Sequence, residues 1–90
     1  MHIELSQGGR NEWIVTVSDA VTTTHRVTVL PETVQRLAKG RTADELIKKS
    51  FEFLLEREPN TSILRSFELP LIGHYFPEYE HEIQRTLSGK

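Results

Sequence analysis

Apolar and polar positions alternate with period two through the first thirty residues. Met1, Ile3 and Leu5 alternate with His2, Glu4 and Ser6. Trp13, Val15 and Val17 alternate with Ile14, Thr16 and Ser18. Thr24, Arg26 and Thr28 alternate with His25, Val27 and Val29. Alternation rich in Val, Thr and Trp predicts three half-buried strands. Gln7-Gly8-Gly9-Arg10-Asn11 and Ser18-Asp19-Ala20-Val21 supply the turns between them, which makes the strands an antiparallel meander. Its inner face carries Ile3, Leu5, Trp13, Val15, Val17, Val27 and Val29.

The period changes at Pro31, a residue favoured in the first turn of a helix because its missing N–H has no partner there. A short helix is predicted from Pro31 to Ala38, with Val34, Leu37 and Ala38 inward. Gly40 can end it in the left-handed conformation. Thr42 and Glu45 have the spacing of a capping box, so a second helix starts at Thr42 and runs to about Arg57. Glu45 and Lys49 are placed for an i,i+4 ion pair. Leu46, Ile47, Phe51, Phe53, Leu54 and Leu55 cover an arc of roughly 200° on this helix, twice the stripe needed to lie on one core. It therefore needs cover from two sides, by the sheet and by either the C-terminal segment or a second copy of the chain.

After the Glu58-Pro59-Asn60 turn, Thr61 or Ser62 can cap a short helix through Ile63, Leu64 and Phe67. Leu69 to Phe76 is apolar and punctuated by Pro70 and Gly73, which predicts an irregular or short-helical stretch. Pro77 opens a last helix, Glu78 to about Leu87, with Tyr79 and Ile83 on one face. The expected fold class is α+β: a three-stranded antiparallel β-meander followed by three to four short helices. It forms a single domain over residues 1–90, with the meander in 1–30, a helix-turn-helix segment in 31–57 and a C-terminal segment in 58–90.

Composition narrows the function classes. Ninety residues make one small domain with a thin core. The absence of cysteine excludes disulfides, thiol catalysis and cysteine-ligated zinc. No apolar run is long enough to span a bilayer and no secretion signal is present, so a cytoplasmic protein without membrane contact is expected. The net charge is −2, and it is divided unevenly: residues 1–50 carry +1 and residues 51–90 carry −3. A chain-wide basic footprint for nucleic acid is absent.

No catalytic constellation emerges. His2, His25, His74 and His81 show neither HxxxH nor HExxH spacing, so no metal site is expected. No serine occupies a G-x-S-x-G turn, and Gly8-Gly9 reads as a hairpin turn rather than a phosphate loop. Glu78, Glu80 and Glu82 fall on different helix faces and read as a solvated acidic surface. These features predict a non-enzymatic binding protein that needs no cofactor.

The stretch from His25 to Arg57 combines an Arg-Val-Thr-Val strand, a Leu-Pro-Glu helix start and Gly-Arg-Thr-Ala-Asp-Glu-Leu-Ile before the second helix. In these features it resembles the ribbon-helix-helix family of DNA-binding proteins, including its antitoxins and repressors. The resemblance implies a homodimer whose strands pair into an antiparallel ribbon that enters the DNA major groove. It further implies that Thr24, Arg26 and Thr28 face the bases, while Arg41 and Thr42 approach phosphate at the start of the second helix.

The aromatic-rich tail is the other candidate. Phe67, Tyr75, Phe76 and Tyr79, edged by Glu78, suit a segment that binds a protein partner with a basic surface. Under the family resemblance that partner is toxin-like. Two functions are thus expected from the sequence. One is a ribbon-helix-helix-like regulator or antitoxin; the alternative is a protein–protein interaction or structural module without nucleic-acid binding.

Overall fold

A computed structural model describes residues 2–88; Met1, expected in the first strand, lies outside the described residues. The chain runs through β1 (His2–Gly9), β2 (Glu12–Ser18), β3 (Thr22–Thr28), α1 (Pro31–Leu37) and α2 (Ala43–Leu55). A 3-10 turn (Asn60–Ser62), β4 (Ser66–Glu68), α3 (Leu71–Tyr75) and α4 (Tyr79–Ser88) follow. The fold is α+β. The first three strands form the expected antiparallel meander, and β4 adds to β3 in parallel, giving the order β1-β2-β3-β4.

The inner face is the one the alternation predicts. Trp13, Val15, Val17, Val27 and Val29 are buried, while Ile3 and Leu5 on the edge strand are half-buried against the same core. α2 lies on this face. The Trp13 indole Nε1 donates to Asp44 Oδ1 at 3.1 Å, fixing the start of α2 over β2. The capping box forms as expected: the Glu45 N–H donates to Thr42 Oγ1 and the Thr42 N–H to Glu45 Oε1, each at 3.2 Å.

That capping geometry accounts for one departure. Glu45 is turned back toward its own N-terminus, where it also accepts from Arg41 at 3.3 Å, so Lys49 pairs with Glu52 rather than with Glu45. Between α1 and α2 the backbone passes through the left-handed region at both Lys39 (φ 53°) and Gly40 (φ 87°). Glycine adopts this region without steric penalty, as the helix stop at Gly40 requires.

α2 is covered twice. Leu46, Ile47 and Phe51 are buried between the sheet and α4, whose Tyr79, Ile83 and Leu87 are buried in turn. Of the two covers the sequence leaves open, the C-terminal segment is the one present. The seam holds a buried polar contact. Ser50 Oγ donates to the Leu46 carbonyl at 2.7 Å, so the Tyr79 hydroxyl, 2.6 Å away, is the donor to Ser50. Burial pushes the Tyr79 phenol well above its ordinary value, which keeps it protonated in this role.

The short helix expected through Ile63, Leu64 and Phe67 is replaced by the 3-10 turn and β4. Two buried polar side chains hold this stretch against β3. Asn60 Nδ2 donates to the Val17 and Val21 carbonyls and to Thr23 Oγ1, at 3.3, 2.7 and 3.0 Å. His25 Nδ1 lies 2.8 Å from the Leu64 carbonyl, which can only accept, so that nitrogen carries the proton. Its Nε2 then accepts from the Thr23 hydroxyl at 2.8 Å. These contacts carry the chain to the edge of β3, where Arg26 N–H donates to the Arg65 carbonyl and Leu69 N–H to the Thr28 carbonyl. A three-residue parallel strand is too short to show a period of its own, and pairing set by distant side chains leaves no local signal.

Asn60→Ala would remove the side-chain donor to the Val17 and Val21 carbonyls and to the Thr23 hydroxyl, at a cost of about 1–3 kcal/mol. Tyr79→Phe removes a single neutral bond and should cost about 1 kcal/mol. Urea unfolding followed through Trp13, the single tryptophan, checks both. Equal losses would show that Asn60 does not pin the 3-10 turn.

Candidate functional site

Three elements leave a gap between them at one end of the core. The C-terminal end of α2, the stretch from the 3-10 turn to β4, and α3 enclose an apolar groove of about 420 Å³. Leu54, Ile63 and Ile72 are buried at its base, and Phe67 and Phe76 are half-buried along it. Leu64 and Tyr75 stand on its rim with 47% and 61% of their surface exposed, and both are among the large apolar side chains that the fold leaves in water. Glu58 and Ser62 are polar groups on the same lining.

The walls are held by identifiable contacts. α3 lasts only five residues, because Pro70 starts it and Phe76 ends it in an extended conformation (φ −128°). The Phe76 ring meets Phe53 edge-on at 6.0 Å, and Phe67 lies 6.1 Å from Phe51. Arg57 ties α2 to the start of α4. Its guanidinium sits 3.6 Å from the centre of the Phe53 ring, its Nη1 donates to the Phe53 carbonyl at 3.0 Å, and its Nε donates to Glu78 at 3.2 Å. A cation here also suits the carbonyl end of α2. Glu78 accepts from its own backbone N–H and from Arg57, and these two contacts hold its carboxyl below the usual carboxylate range.

The expected tail residues thus divide. Phe67, Tyr75 and Phe76 come together on the groove. Tyr79 is buried in the α2–α4 seam, and Glu78 is engaged by Arg57 at the surface. Leu64, Glu58 and Ser62 on the groove, and Arg57 beside it, lie outside the candidates that the sequence pattern offers. The Phe53/Arg57 spacing of four residues on one helix was the available signal for Arg57, since it stacks a cation on an aromatic ring.

The residues expected at DNA are separated by the sheet. Thr24 and Arg26 are exposed on the outer face, beside a shallow depression of about 230 Å³ that they share with Ile14, Arg65 and Ser66. Thr28 is half-buried further along β3. Arg26 Nε lies 3.4 Å from Glu12 Oε2, so a carboxylate accompanies its charge. Arg41 and Thr42 stand at the start of α2, which packs on the inner face. Both are engaged there, Arg41 with Glu45 and Thr42 in the helix cap. The outward edge of β3 is paired with β4 over Arg26–Thr28.

Among the described residues, no three His, Cys, Asp or Glu side chains are grouped to hold a metal ion. No helix among them is long and apolar enough to cross a membrane. Comparison of the chain with protein-family models, with curated proteins and with solved structures gives no match.

The Glu78 contacts carry a pH dependence of defined sign. A carboxyl whose folded value is lowered stabilises the fold above its unfolded value of about 4.3, and loses that contribution as pH falls through the lower folded value. Glu78 stands at the surface, where solvent screens the pair, so the effect is small. Glu78→Gln should therefore lower the urea midpoint slightly near neutral pH and leave it unchanged in strong acid. A deficit that persists undiminished in acid would mean that the carboxylate charge is not what Arg57 engages.

Proposed function

We propose that this chain is a non-enzymatic protein-interaction module, and that the groove beside α3 receives an apolar side chain of a partner protein. The observation that carries this reading is the convergence of Leu64 and Tyr75, two exposed apolar side chains, on one apolar groove. A small domain gains stability by burying such groups, so their joint exposure at one concave site favours a binding role. Interfaces concentrate their energy in anchors of this kind, with an aromatic or aliphatic side chain seated in a pocket.

The electrostatics select the partner's flanks. Glu58 is on the groove lining, and residues 51–90 carry a net −3. A segment with one Leu or Phe anchor next to Lys or Arg complements both features. The ribbon-helix-helix reading asks for a free β3 edge and a positive outer face. β4 on that edge and Glu12 beside Arg26 make the interaction-module reading the better supported of the two.

A panel of short peptides tests this by fluorescence anisotropy, each with a central Leu, Phe or Ser flanked by Lys or by Glu. Peptides with Leu or Phe between lysines should bind in the micromolar range, and the Ser peptides should not bind. Burial of one Leu side chain is worth about 1.5–3 kcal/mol, so Leu64→Ser or Tyr75→Ala should weaken binding roughly ten- to a hundredfold. Binding that ignores both substitutions would remove the groove as the site. Salt-sensitive duplex DNA binding that Arg26→Ala weakens would favour the regulator reading instead.

A further inference from the structure

The two edges of the sheet are unlike. β4 is three residues long, whereas β1 runs for eight residues from His2 to Gly9 and pairs only with β2. A long open edge presents a row of unpaired backbone N–H and C=O groups to any other strand. Folds that keep such an edge solitary place charged side chains on it, lysine above all, or proline, or bend it with a bulge. β1 contains no Lys, Arg or Pro, and Glu4 is its one fixed charge. Its single irregularity lies at its far end, between Gln7 and Gly9. On the core face Ile3 and Leu5 remain half-buried, so their burial is incomplete where the sheet stops.

We propose that β1 is a self-association edge, where two copies of this chain pair their β1 strands antiparallel about a two-fold axis centred on Leu5. An isologous contact of this kind needs one self-complementary strand and closes as a dimer. The register follows from the side chains. A two-fold axis normal to the sheet sets core-face residues opposite core-face residues, so the axis passes through a residue position.

Centring on Glu4 sets the two Glu4 carboxylates directly opposite each other, an unfavourable like-charge pair. Centring on Ser6 sets the irregular Gln7–Gly9 stretch against the middle of the partner strand and interrupts the ladder. Centring on Leu5 pairs the strand along its length and moves the irregularity to the ends. It places the Leu5 side chains side by side on the core face and sets Glu4 opposite Ser6 of the other copy on the outer face. The four-stranded sheet becomes continuous across eight strands, with the helices of both copies on one side.

The register supplies a test in the full chain. Glu4 and Ser6 are both exposed, so changes at Ser6 leave the monomer fold in place. Ser6→Glu sets carboxylates opposite Glu4 twice per dimer and should weaken dimerisation about tenfold, whereas Ser6→Lys forms two cross-strand ion pairs and should tighten it. Sedimentation equilibrium over a wide concentration range reads both. The chain has no cysteine, so single-cysteine variants report the register directly. On mild oxidation Leu5→Cys should cross-link readily, while Ser6→Cys, whose copies lie on a diagonal beyond about 7 Å, should not. A wild-type chain that stays monomeric throughout overturns the proposal. So does a dimer that responds equally to Ser6→Glu and Ser6→Lys, or one that cross-links through Ser6→Cys in preference to Leu5→Cys.

Discussion

A helix that is apolar around more than half of its circumference cannot satisfy itself on one surface, and α2 is such a helix. Leu46, Ile47, Phe51, Phe53 and Leu54 are all buried, and they point in too many directions for the sheet alone to reach. The rest of the architecture answers that demand. The meander covers one side with Val15, Val17 and Val27, and α4 covers the other with Tyr79, Ile83 and Leu87. The buried polar link in the second seam, Tyr79 to Ser50, is satisfied because Ser50 donates its own hydroxyl hydrogen bond to the Leu46 carbonyl. The sequence between α2 and α4 has to bridge two covers on opposite sides of one helix. The groove is what remains where that bridge turns.

The bridge is held by polar side chains rather than by regular structure. Asn60 fastens the 3-10 turn to the β2–β3 hairpin, His25 holds the Leu64 carbonyl, and Arg57 joins the end of α2 to Glu78. Asn60 and His25 are buried, which makes their contacts more exacting than the exposed Arg57–Glu78 ion pair. Together they set Leu64 on one rim of the groove, and the short α3 sets Tyr75 on the other. The rigidity that a binding site needs is therefore supplied by residues that do not line it, a common arrangement for loops carried on a packed scaffold.

This division explains how far the sequence alone can be read. Period-two alternation in residues 2–28 encodes the meander and its buried face, because each side chain reports its own burial directly. The capping box at Thr42 and the wide apolar arc of α2 are equally local, and the arc carries the requirement for a second cover. β4 escapes such a reading because Ser66–Glu68 is brought to β3 by contacts between residues 39 apart in the chain, Asn60 to Val21 and His25 to Leu64. The site divides in the same way. The aromatic character of Phe67, Tyr75 and Phe76 is visible in the sequence, whereas their meeting with Leu54 and Ile63 depends on where the bridge turns. Burial of Tyr79 depends on the docking of α4, which the alternatives for covering α2 leave open.

Amide hydrogen exchange of the native chain, resolved residue by residue, tests the central claim that α4 is the second cover of α2. Helices that share one core open together, so the central amides of α4 around Ile83 should exchange with nearly the same opening free energy as those of α2 around Phe51. Exchange of α4 at close to unprotected rates, with α2 still protected, would contradict this account, because the far side of α2 would then have to be covered by something else.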